Sequence, residues 1–285
     1  MKVLSLSGGA TRFVGISGCA IELIKQGYKP DVIVGVSAGA IASVPIALGL
    51  YNQVIDKGLS ITLKDIFKVV PINEKGRITI HGIIRLLLGY NSIGVQQVDK
   101  LLSELVSKDK FAEYVSGNYP TCYCSAVNME TGEKEWFNLK ECDYNTFLKA
   151  VSASSHIPLA SQAININNKL YYDGGLRDHN LGCSFVEEFN GVTELVSIYG
   201  RPQGLMANLS TWNKSLFSIL DRTMDIMQNE ISRSDEYLEK EYCQNNNIKL
   251  TQLFLPRILT TLYDTDINRL IQLYHESIKI AQTYK

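Results

Sequence analysis

The stretch VIVGVSAGAIA, from Val32 to Ala42, decides the fold of this chain. Its β-branched residues before the serine are typical of a strand that is buried on both faces. The small and apolar residues that follow, from Ala38 to Leu48, have the composition and length of a buried helix. Ser37 lies at the junction, inside the pattern Gly35-x-Ser37-x-Gly39. The sequence therefore predicts a strand, a tight turn and a helix around this serine.

The pattern around Ser37 has two interpretations. A G-x-S-x-G turn between a strand and a helix is the nucleophile elbow, which lifts a serine hydroxyl to the top of a sheet. Its glycines let neighbouring backbone approach closely, and the helix N-terminus favours developing negative charge. The other interpretation is an ordinary helix start made of small residues, because the pattern is short. The strand–turn–helix context favours Ser37 as a nucleophile.

Size and composition exclude several classes of protein. The 285 residues, 45% of them apolar, suit one large α/β domain or two small ones. A net charge of −1 and the lack of a dense Lys/Arg patch argue against nucleic acid as a partner. The six cysteines show neither a disulfide framework nor zinc spacing, and we expect Cys122 and Cys124 to be reduced core residues. With no signal-peptide core and no 18-residue apolar stretch, a cytoplasmic location is expected.

A glycine-rich loop from Ser7 to Arg12 follows a predicted strand and precedes a predicted helix over 13–26. Such a loop presents unpaired backbone amides and suits an anion. It lacks the Gly-Lys-Ser/Thr ending of a phosphate loop and the G-x-G-x-x-G dinucleotide pattern. An oxyanion hole built from the amides of Gly8, Gly9 and Ala10 is the third interpretation. Arg12 either supports this loop with its positive charge or is a surface arginine.

The middle of the chain predicts strands and one ambiguous apolar segment. Ile83–Leu88 is apolar nearly all round, which favours the core; an apolar lid or acyl groove is the alternative. Thr121–Met129 and Glu133–Leu139 predict a hairpin. Glu194–Tyr199 predicts the final strand, and the chain beyond Gly200 has a helical period.

A second predicted hairpin, over Ile164–Tyr172, turns at Asn167-Asn168 and leads into Asp173-Gly174-Gly175. A catalytic acid would need a carboxylate at the end of a strand, with glycines beside it that let other groups approach closely. The same residues also form an ordinary Asp-Gly turn, and in isolation that interpretation is favoured.

Four blocks taken together resemble the patatin-like phospholipases. They are Leu6-Ser7-Gly8-Gly9-Ala10-Thr11-Arg12, Gly35-Val36-Ser37-Ala38-Gly39, Ser154-Ser155-x-Ile157-Pro158 and Asp173-Gly174-Gly175, in this order. The resemblance covers roughly residues 2–200. It implies a three-layer α/β fold with a mostly parallel central sheet flanked by helices. It also implies a catalytic core over 1–200, with a helical C-terminal extension over 201–285 packed on it in a single domain.

The resemblance implies lipid acyl-ester hydrolysis by a serine–aspartate dyad, without a metal or other cofactor. Ser37 would be the nucleophile and Asp173 its base. Gly8, Gly9, Ala10 and Arg12 would form the oxyanion loop, with Gly35, Gly39, Gly174 and Gly175 as supporting glycines. The implied partners are a lipid or phospholipid substrate and, peripherally, a membrane surface. The oligomeric state is not indicated.

The sequence departs from the family pattern at several positions. Ala10 stands where the family loop has its third glycine, which is tolerable if the φ angle of Ala10 is negative. Phe13 stands at the last loop glycine and His156 at a usual alanine. Leu176–Asn180 only approximates the Asn-x-Pro ending of the family.

Three other interpretations remain open. A Ser-His-Asp esterase would use His179 or His275, with His179 favoured because it follows Asp173 closely. A zinc site would draw on His156, Asp178 and His179, without a recognised ligand spacing. The altered glycine loop also suits a catalytically latent or partner-activated lipid-binding effector.

Overall fold

The computed structural model describes residues 1–71, 78–204 and 216–284. The strands are β1 (Lys2–Leu6), β2 (Val32–Gly35), β3 (Phe67–Val69), β4 (Val95–Gln96), β5 (Thr121–Asn128), β6 (Lys134–Asn138), β7 (Ile164–Ile166), β8 (Lys169–Asp173), β9 (Glu194–Tyr199) and β10 (Lys249–Phe254). The helices are α1 (Phe13–Lys25), α2 (Ala38–Ala47), α3 (Tyr51–Ser60), α4 (Leu63–Ile66), α5 (Ile80–Leu87), α6 (Val98–Leu105), α7 (Lys108–Ser116), α8 (Tyr144–Ala153), α9 (Gly182–Glu188), α10 (Leu216–Asn245) and α11 (Ile267–Ala281).

An eight-stranded sheet with the order β10-β9-β1-β2-β5-β8-β7 forms the centre of the fold, and β6 also pairs with β5. The strands from β10 to β5 run parallel, while β6, β7 and β8 pair antiparallel at the far side. β3 and β4 form a separate ribbon. Because parallel strands end at the same edge of a sheet, the loops after β1 and β2 are neighbours.

Apolar side chains lie in two clusters, one on each face of the sheet. Successive residues of β1 alternate between them: Val3 belongs to one cluster, and Leu4 to the other. Val32 and Ile33 of β2 alternate in the same way, as the two-residue period of a strand requires. Helices α1, α2, α8 and α11 contribute to one cluster, and α9 and α10 to the other. The predicted three-layer α/β fold is confirmed.

The part of the chain after residue 200 is helical, as predicted, but it also adds a strand. β10 pairs in parallel with β9, so the prediction that β9 is the last strand is wrong. β10 is an edge strand with the sequence Lys-Leu-Thr-Gln-Leu-Phe. It mixes polar and apolar residues, so the two-residue alternation of a strand could not be recognised. α11 packs on α1, where the space beside Gly15 is filled by Leu273. The boundary at residue 200 stays a prediction.

The apolar segment Ile83–Leu88 is not part of the core, so that prediction is wrong. It forms most of α5, whose outward side chains are among the most exposed apolar groups of the described chain: Ile80 is 74% exposed, Leu87 81% and the adjoining Leu88 69%. The buried position of the helix is Gly82. Among the described helices, none combines the length and the hydrophobicity needed to cross a bilayer.

The two predicted hairpins are confirmed, and the second one delivers Asp173. Asn167 and Asn168 have φ angles of 51° and 64°, which asparagine tolerates in a two-residue hairpin turn. β8 then runs beside β5, where Asp173 pairs with Ala126. The hairpin therefore carries this carboxyl group next to β5, the neighbour of the elbow strand β2.

Candidate active site

Ser37 lies at a sharp turn between β2 and α2. Its φ and ψ angles are 54° and −117°, a conformation that costs a non-glycine residue about 1–3 kcal/mol. A Cβ atom at Gly35 would overlap the carbonyl of Gly39, and one at Gly39 would overlap the carbonyl of Leu6. Both glycines are therefore needed for the backbone to turn this tightly, which is the elbow geometry that the pattern predicts.

Two consecutive serines hold the backbone of this turn. Ser154 Oγ accepts a hydrogen bond of 3.1 Å from the Ser37 N–H. The Ser155 hydroxyl lies 3.2 Å from the Ser37 carbonyl oxygen and 2.8 Å from that of Val151. Both serines are buried at the end of α8. These hydrogen bonds hold the backbone of the strained elbow in place.

Asp173 is buried at the end of β8, and its carboxyl group faces the Ser37 hydroxyl. Burial raises the pKa of this carboxyl to about 7, against the opposing effects of a hydrogen bond from the Gly175 N–H and the Ser37 hydroxyl as a hydrogen-bond partner. The Gly175 N–H lies 2.7 Å from Asp173 Oδ1. A Cβ atom at Gly174 would lie 2.5 Å from the Ser125 carbonyl, so the glycine allows the close approach.

Ser37 and Asp173 line one small cavity of about 290 Å³ together with the glycine loop, which we call the polar cavity because His179 and Gln228 also line it. Its lining residues are Gly8, Gly9, Ala10, Ser37, Ile157, Asp173, Gly175, His179, Gln228 and Leu262. The structure thus brings together a hydroxyl, a carboxyl and a glycine loop that lie far apart along the sequence.

The amides of the glycine loop are not equivalent. The Gly8 N–H already donates to the His179 carbonyl at 3.0 Å, so Gly8, predicted as an oxyanion donor, has its amide occupied. Buried N–H groups are almost always paired, and His179 supplies the partner here. Within the described part of the chain, the N–H groups of Gly9, Ala10 and Ala38 donate no hydrogen bond. These three amides are the donors available at the site.

Ala10 does not meet the condition under which alanine was tolerable at this loop position. Its φ angle is 47°, in the left-handed region, and not negative. The residue begins a short 3₁₀ turn, Ala10–Arg12, and the next amide, that of Thr11, donates to the Leu262 carbonyl at 3.1 Å. This anchoring keeps the loop in the shape that a glycine would adopt without strain.

A family model described as patatin-like phospholipase matches residues 4–182. The chain belongs to this family. It is 25% identical over 182 residues to the probable lipid hydrolase 463L of Invertebrate iridescent virus 6, a match that spans 61% of this chain and 60% of the relative. The crystal structure of VipD from Legionella pneumophila is similar with a TM-score of 0.51 and 12% identity, over 99% of this chain and 67% of VipD. At that identity, the likeness concerns the fold.

The patatin-like chain has a second, larger pocket on the other side of Ser37, of about 560 Å³. Its walls are mostly apolar: Ala10, Phe13, Ser37, Ala38, Ile41, Lys57, Ile61, Ile66, Gln96, Val98, Leu101, Leu105, Ser155, Ile157 and Tyr263. Phe13, which replaces the last glycine of the family loop, is therefore a wall of this pocket. Its mostly apolar lining suits an acyl chain.

Arg12 lines neither cavity. Its guanidinium is nevertheless close enough to His179 to lower the pKa of that imidazole. The role of Arg12 in the oxyanion loop stays a prediction.

His179 lies in the polar cavity but lacks the partner that a triad histidine needs. Its pKa is lowered to about 3 by burial and by the charges of Arg12 and Arg201, so the imidazole is neutral. Within the described chain, its Nδ1 atom has no hydrogen-bond partner. A Ser-His-Asp triad requires a carboxylate at that nitrogen. The geometry therefore favours the serine–aspartate pair over the triad.

Sequence analysis missed two residues that hold the site, Gln96 and Asp235. Gln96 accepts from the Ile157 N–H at 3.2 Å and donates to the Ser155 carbonyl at 3.3 Å. Asp235 of α10 accepts from the backbone N–H of His179 at 2.8 Å. Sequence analysis named the Ser154-Ser155 block, but it did not predict that these serines contact the elbow. Gln96 and Asp235 carry no local pattern that could have been recognised.

The residues of the alternative zinc site are engaged elsewhere. His156 Nδ1 lies 2.9 Å from the Gln162 carbonyl oxygen, and Asp178 pairs with Lys134 at 2.8 Å. In the described ranges, no group of three His, Cys, Asp or Glu residues is placed to hold a metal ion.

Proposed function

We propose that this protein is a lipid acyl hydrolase that uses Ser37 as nucleophile and Asp173 as general base. The observation that carries the proposal is the shared cavity: a serine at a strained elbow faces a buried carboxyl whose pKa is about 7. Membership of the patatin-like phospholipase family and the probable lipid hydrolase among its relatives support a lipid substrate. The chain spans 60% of the length of that relative.

The reaction has two halves. Asp173 takes the Ser37 proton while Oγ bonds to the ester carbonyl carbon, and the negative charge that develops on the carbonyl oxygen is stabilised by backbone amides. When the carbon–oxygen ester bond breaks, the protonated Asp173 gives its proton to the leaving alcohol. Water then attacks the carbonyl carbon of acyl-Ser37 while Asp173 takes one of its protons. When the bond from the acyl carbon to Ser37 Oγ breaks, Asp173 returns that proton to Oγ, and the fatty acid leaves.

The raised pKa of Asp173 suits this double role. An ordinary aspartate, with a pKa of about 3.9, would be a weak base toward a serine hydroxyl. A carboxyl group with a pKa of about 7 accepts the proton more readily and can return it at neutral pH. Burial is the cause of the shift, so any change that lets water reach Asp173 weakens the base.

The apolar pocket indicates which part of the substrate binds where. We assign it to the acyl chain, because it starts at Ser37 and is walled by residues such as Leu101 and Leu105. An ester of the phospholipase A or lysophospholipase type fits this assignment, with the head group on the polar side. The six cysteines are all free, which agrees with action in a reducing compartment such as the cytoplasm.

Turnover of phospholipid and lysophospholipid by wild type and by Ser37→Ala tests the proposal. We expect Ser37→Ala to lose at least about 10⁴-fold in kcat/KM, because no other group replaces the nucleophile. Ser43→Ala is the matched control: Ser43 lies in the same helix, and its hydroxyl donates to the Ala40 carbonyl. Equal rates for Ser37→Ala and wild type would contradict the proposal.

A latent, lipid-binding effector is the second candidate. The occupied Gly8 amide and the strained Ala10 favour it, since both make the loop less able to stabilise an oxyanion. This candidate predicts fatty-acid or lysolipid binding in the apolar pocket without serine-dependent turnover. Serine-dependent hydrolysis by the protein alone would exclude it.

A further inference from the structure

We propose that α5 and the turn after it are the surface by which this protein lies on a phospholipid bilayer. The inference rests on the proposed function, because a lipid substrate brings the protein to such a surface. The surface consists of the outward side chains of α5 together with Leu88 and Tyr90.

The sides of α5 are reversed compared with those of a surface helix that faces water. Its inner side carries Gly82, which is buried, and Arg85, which is only partly exposed. Its exposed residues are His81 and five apolar ones, Ile80, Ile83, Ile84, Leu86 and Leu87. Helices of water-soluble domains place the apolar side inward and the charges outward. An outward apolar side of this size marks a surface that contacts an apolar partner.

The one charged side chain of α5 is held back toward the protein. Arg85 Nε donates to the Ser92 carbonyl at 3.1 Å, and its Nη2 lies 3.1 Å from Ser92 Oγ. The guanidinium also lies 4.3 Å from the ring centroid of Tyr90. An arginine paired with a tyrosine beside exposed leucines is suited to the boundary between lipid head groups and acyl chains.

The charges near α5 indicate a lipid surface as its partner. From Ile78 to Val98 the sequence has no Asp or Glu, and the charges there and on the adjoining strand β3 are those of Arg85 and the exposed Lys68. β3 is attached to the start of α5 by the Thr79 hydroxyl, which donates to the Val70 carbonyl at 2.8 Å. An apolar patch whose neighbouring charges in these two segments are positive, with no carboxylate among them, is suited to anionic head groups above acyl chains.

The same surface is joined to the proposed site. The Ile93 N–H, shortly after α5, donates to the Leu159 carbonyl at 2.9 Å. Leu159 is itself exposed, and Ile157, two residues earlier, lines both cavities beside Ser37. A bilayer held by α5 would therefore lie close to the entrance that an acyl chain must use.

Binding to vesicles of phosphatidylcholine and phosphatidylserine tests the inference. The protein would carry Ser37→Ala, so that binding is measured without hydrolysis. We expect Ile80→Ser/Leu87→Ser to weaken vesicle binding about tenfold or more, because two apolar side chains lose their burial in lipid. Leu238→Ser/Ile267→Ser is the matched control, because it removes the same residue types from exposed positions of α10 and α11, and we expect it to bind like the parent.

Hydrolysis separates this inference from the proposed function. With Ser37 restored, the α5 variant should keep the rate on a soluble short-chain ester and lose rate only on vesicles. The inference is overturned if the parent does not bind vesicles, if both double variants bind equally well, or if ultracentrifugation shows a dimer that the α5 substitutions dissociate, since a second copy would then cover the surface. Vesicle binding through α5 without any ester hydrolysis would uphold the inference and contradict the proposed function.

Discussion

Two cavities meet at Ser37, and they differ in size and chemistry. The smaller, of about 290 Å³, is lined by the glycine loop, Asp173 and His179. The larger, of about 560 Å³, is lined mostly by aliphatic and aromatic side chains. Under the proposed function, the reaction takes place in the smaller cavity, and the acyl chain is recognised in the larger one. Changes on the polar side should alter the rate, and changes on the apolar side should alter which acyl chain is accepted.

The largest effect is expected on the polar side, from Asp173→Asn. An amide cannot accept the Ser37 proton, so kcat/KM should fall about 10³-fold. The rate of wild type should rise with pH through about 7, where Asp173 ionises, and this rise should be absent in the variant. pH–rate profiles of both proteins give the test. Asp178→Asn, a nearby carboxyl that pairs with Lys134, is the control; loss of the pH dependence there would be inconsistent with the assignment.

The same substitution should stabilise the protein at alkaline pH. The pKa of Asp173 is raised in the folded state, so the folded state binds more protons and loses stability as pH rises from about 4 to about 7. A shift of this size corresponds to on the order of 4 kcal/mol above pH 7. Urea unfolding of wild type and Asp173→Asn at pH 5 and at pH 8 measures this loss of stability. The second pH lies roughly one unit above the pKa of Asp173 in the folded state. A difference that does not grow toward pH 8 would contradict a buried, proton-binding Asp173.

A smaller effect is expected on the apolar side, from Leu101→Phe. A larger side chain in the pocket wall should lower the ratio of long-chain to short-chain kcat/KM by about 10–100-fold, because chain discrimination in an apolar pocket is worth about 1–3 kcal/mol. The ratio cancels any loss of folded protein. Leu238→Phe, at an exposed position, is the control. An unchanged ratio in Leu101→Phe would place the acyl chain elsewhere.

A still smaller effect is expected for His179→Gln. His179 is neutral and its Nδ1 atom lacks a carboxylate, so we expect the ester rate to stay within about tenfold of wild type. Steady-state kinetics on a soluble ester provide the measurement. A loss approaching that of Ser37→Ala would instead support a Ser-His-Asp triad.

The smallest effect is expected for Ala10→Gly. Relief of the left-handed φ angle should raise the free energy of unfolding by about 1 kcal/mol. Denaturant unfolding of the two proteins measures this directly. An equal or lower stability for Ala10→Gly would contradict the strained loop.

Much of the fold could be predicted because several signals were local. The elbow glycines, the asparagine hairpin and the alternating strands each depend on residues that are neighbours in sequence. The outward orientation of α5 could not be predicted, because a segment that is apolar nearly all round has the same pattern whether it faces a core or another apolar surface. β10 was missed because a short edge strand with polar residues has no clear period.

The site was predictable only in part, for a similar reason. Ser37 and Asp173 could be proposed from short patterns and from the family resemblance. The occupied Gly8 amide depends on the His179 carbonyl, and the Ser37 backbone depends on Ser154 and Ser155. Such long-range hydrogen bonds leave no trace in the residues that flank each partner.

The most direct measurement of the central claim is covalent labelling by a fluorophosphonate, a probe that reacts with activated serines. Peptide mass spectrometry should find the label on Ser37 in wild type, with a labelling rate that rises through about pH 7, the pKa of Asp173. Ser37→Ala should not be labelled, and Asp173→Asn should react slowly at every pH. Labelling of another serine, or of Ser37 at the same rate in Asp173→Asn, would contradict the account.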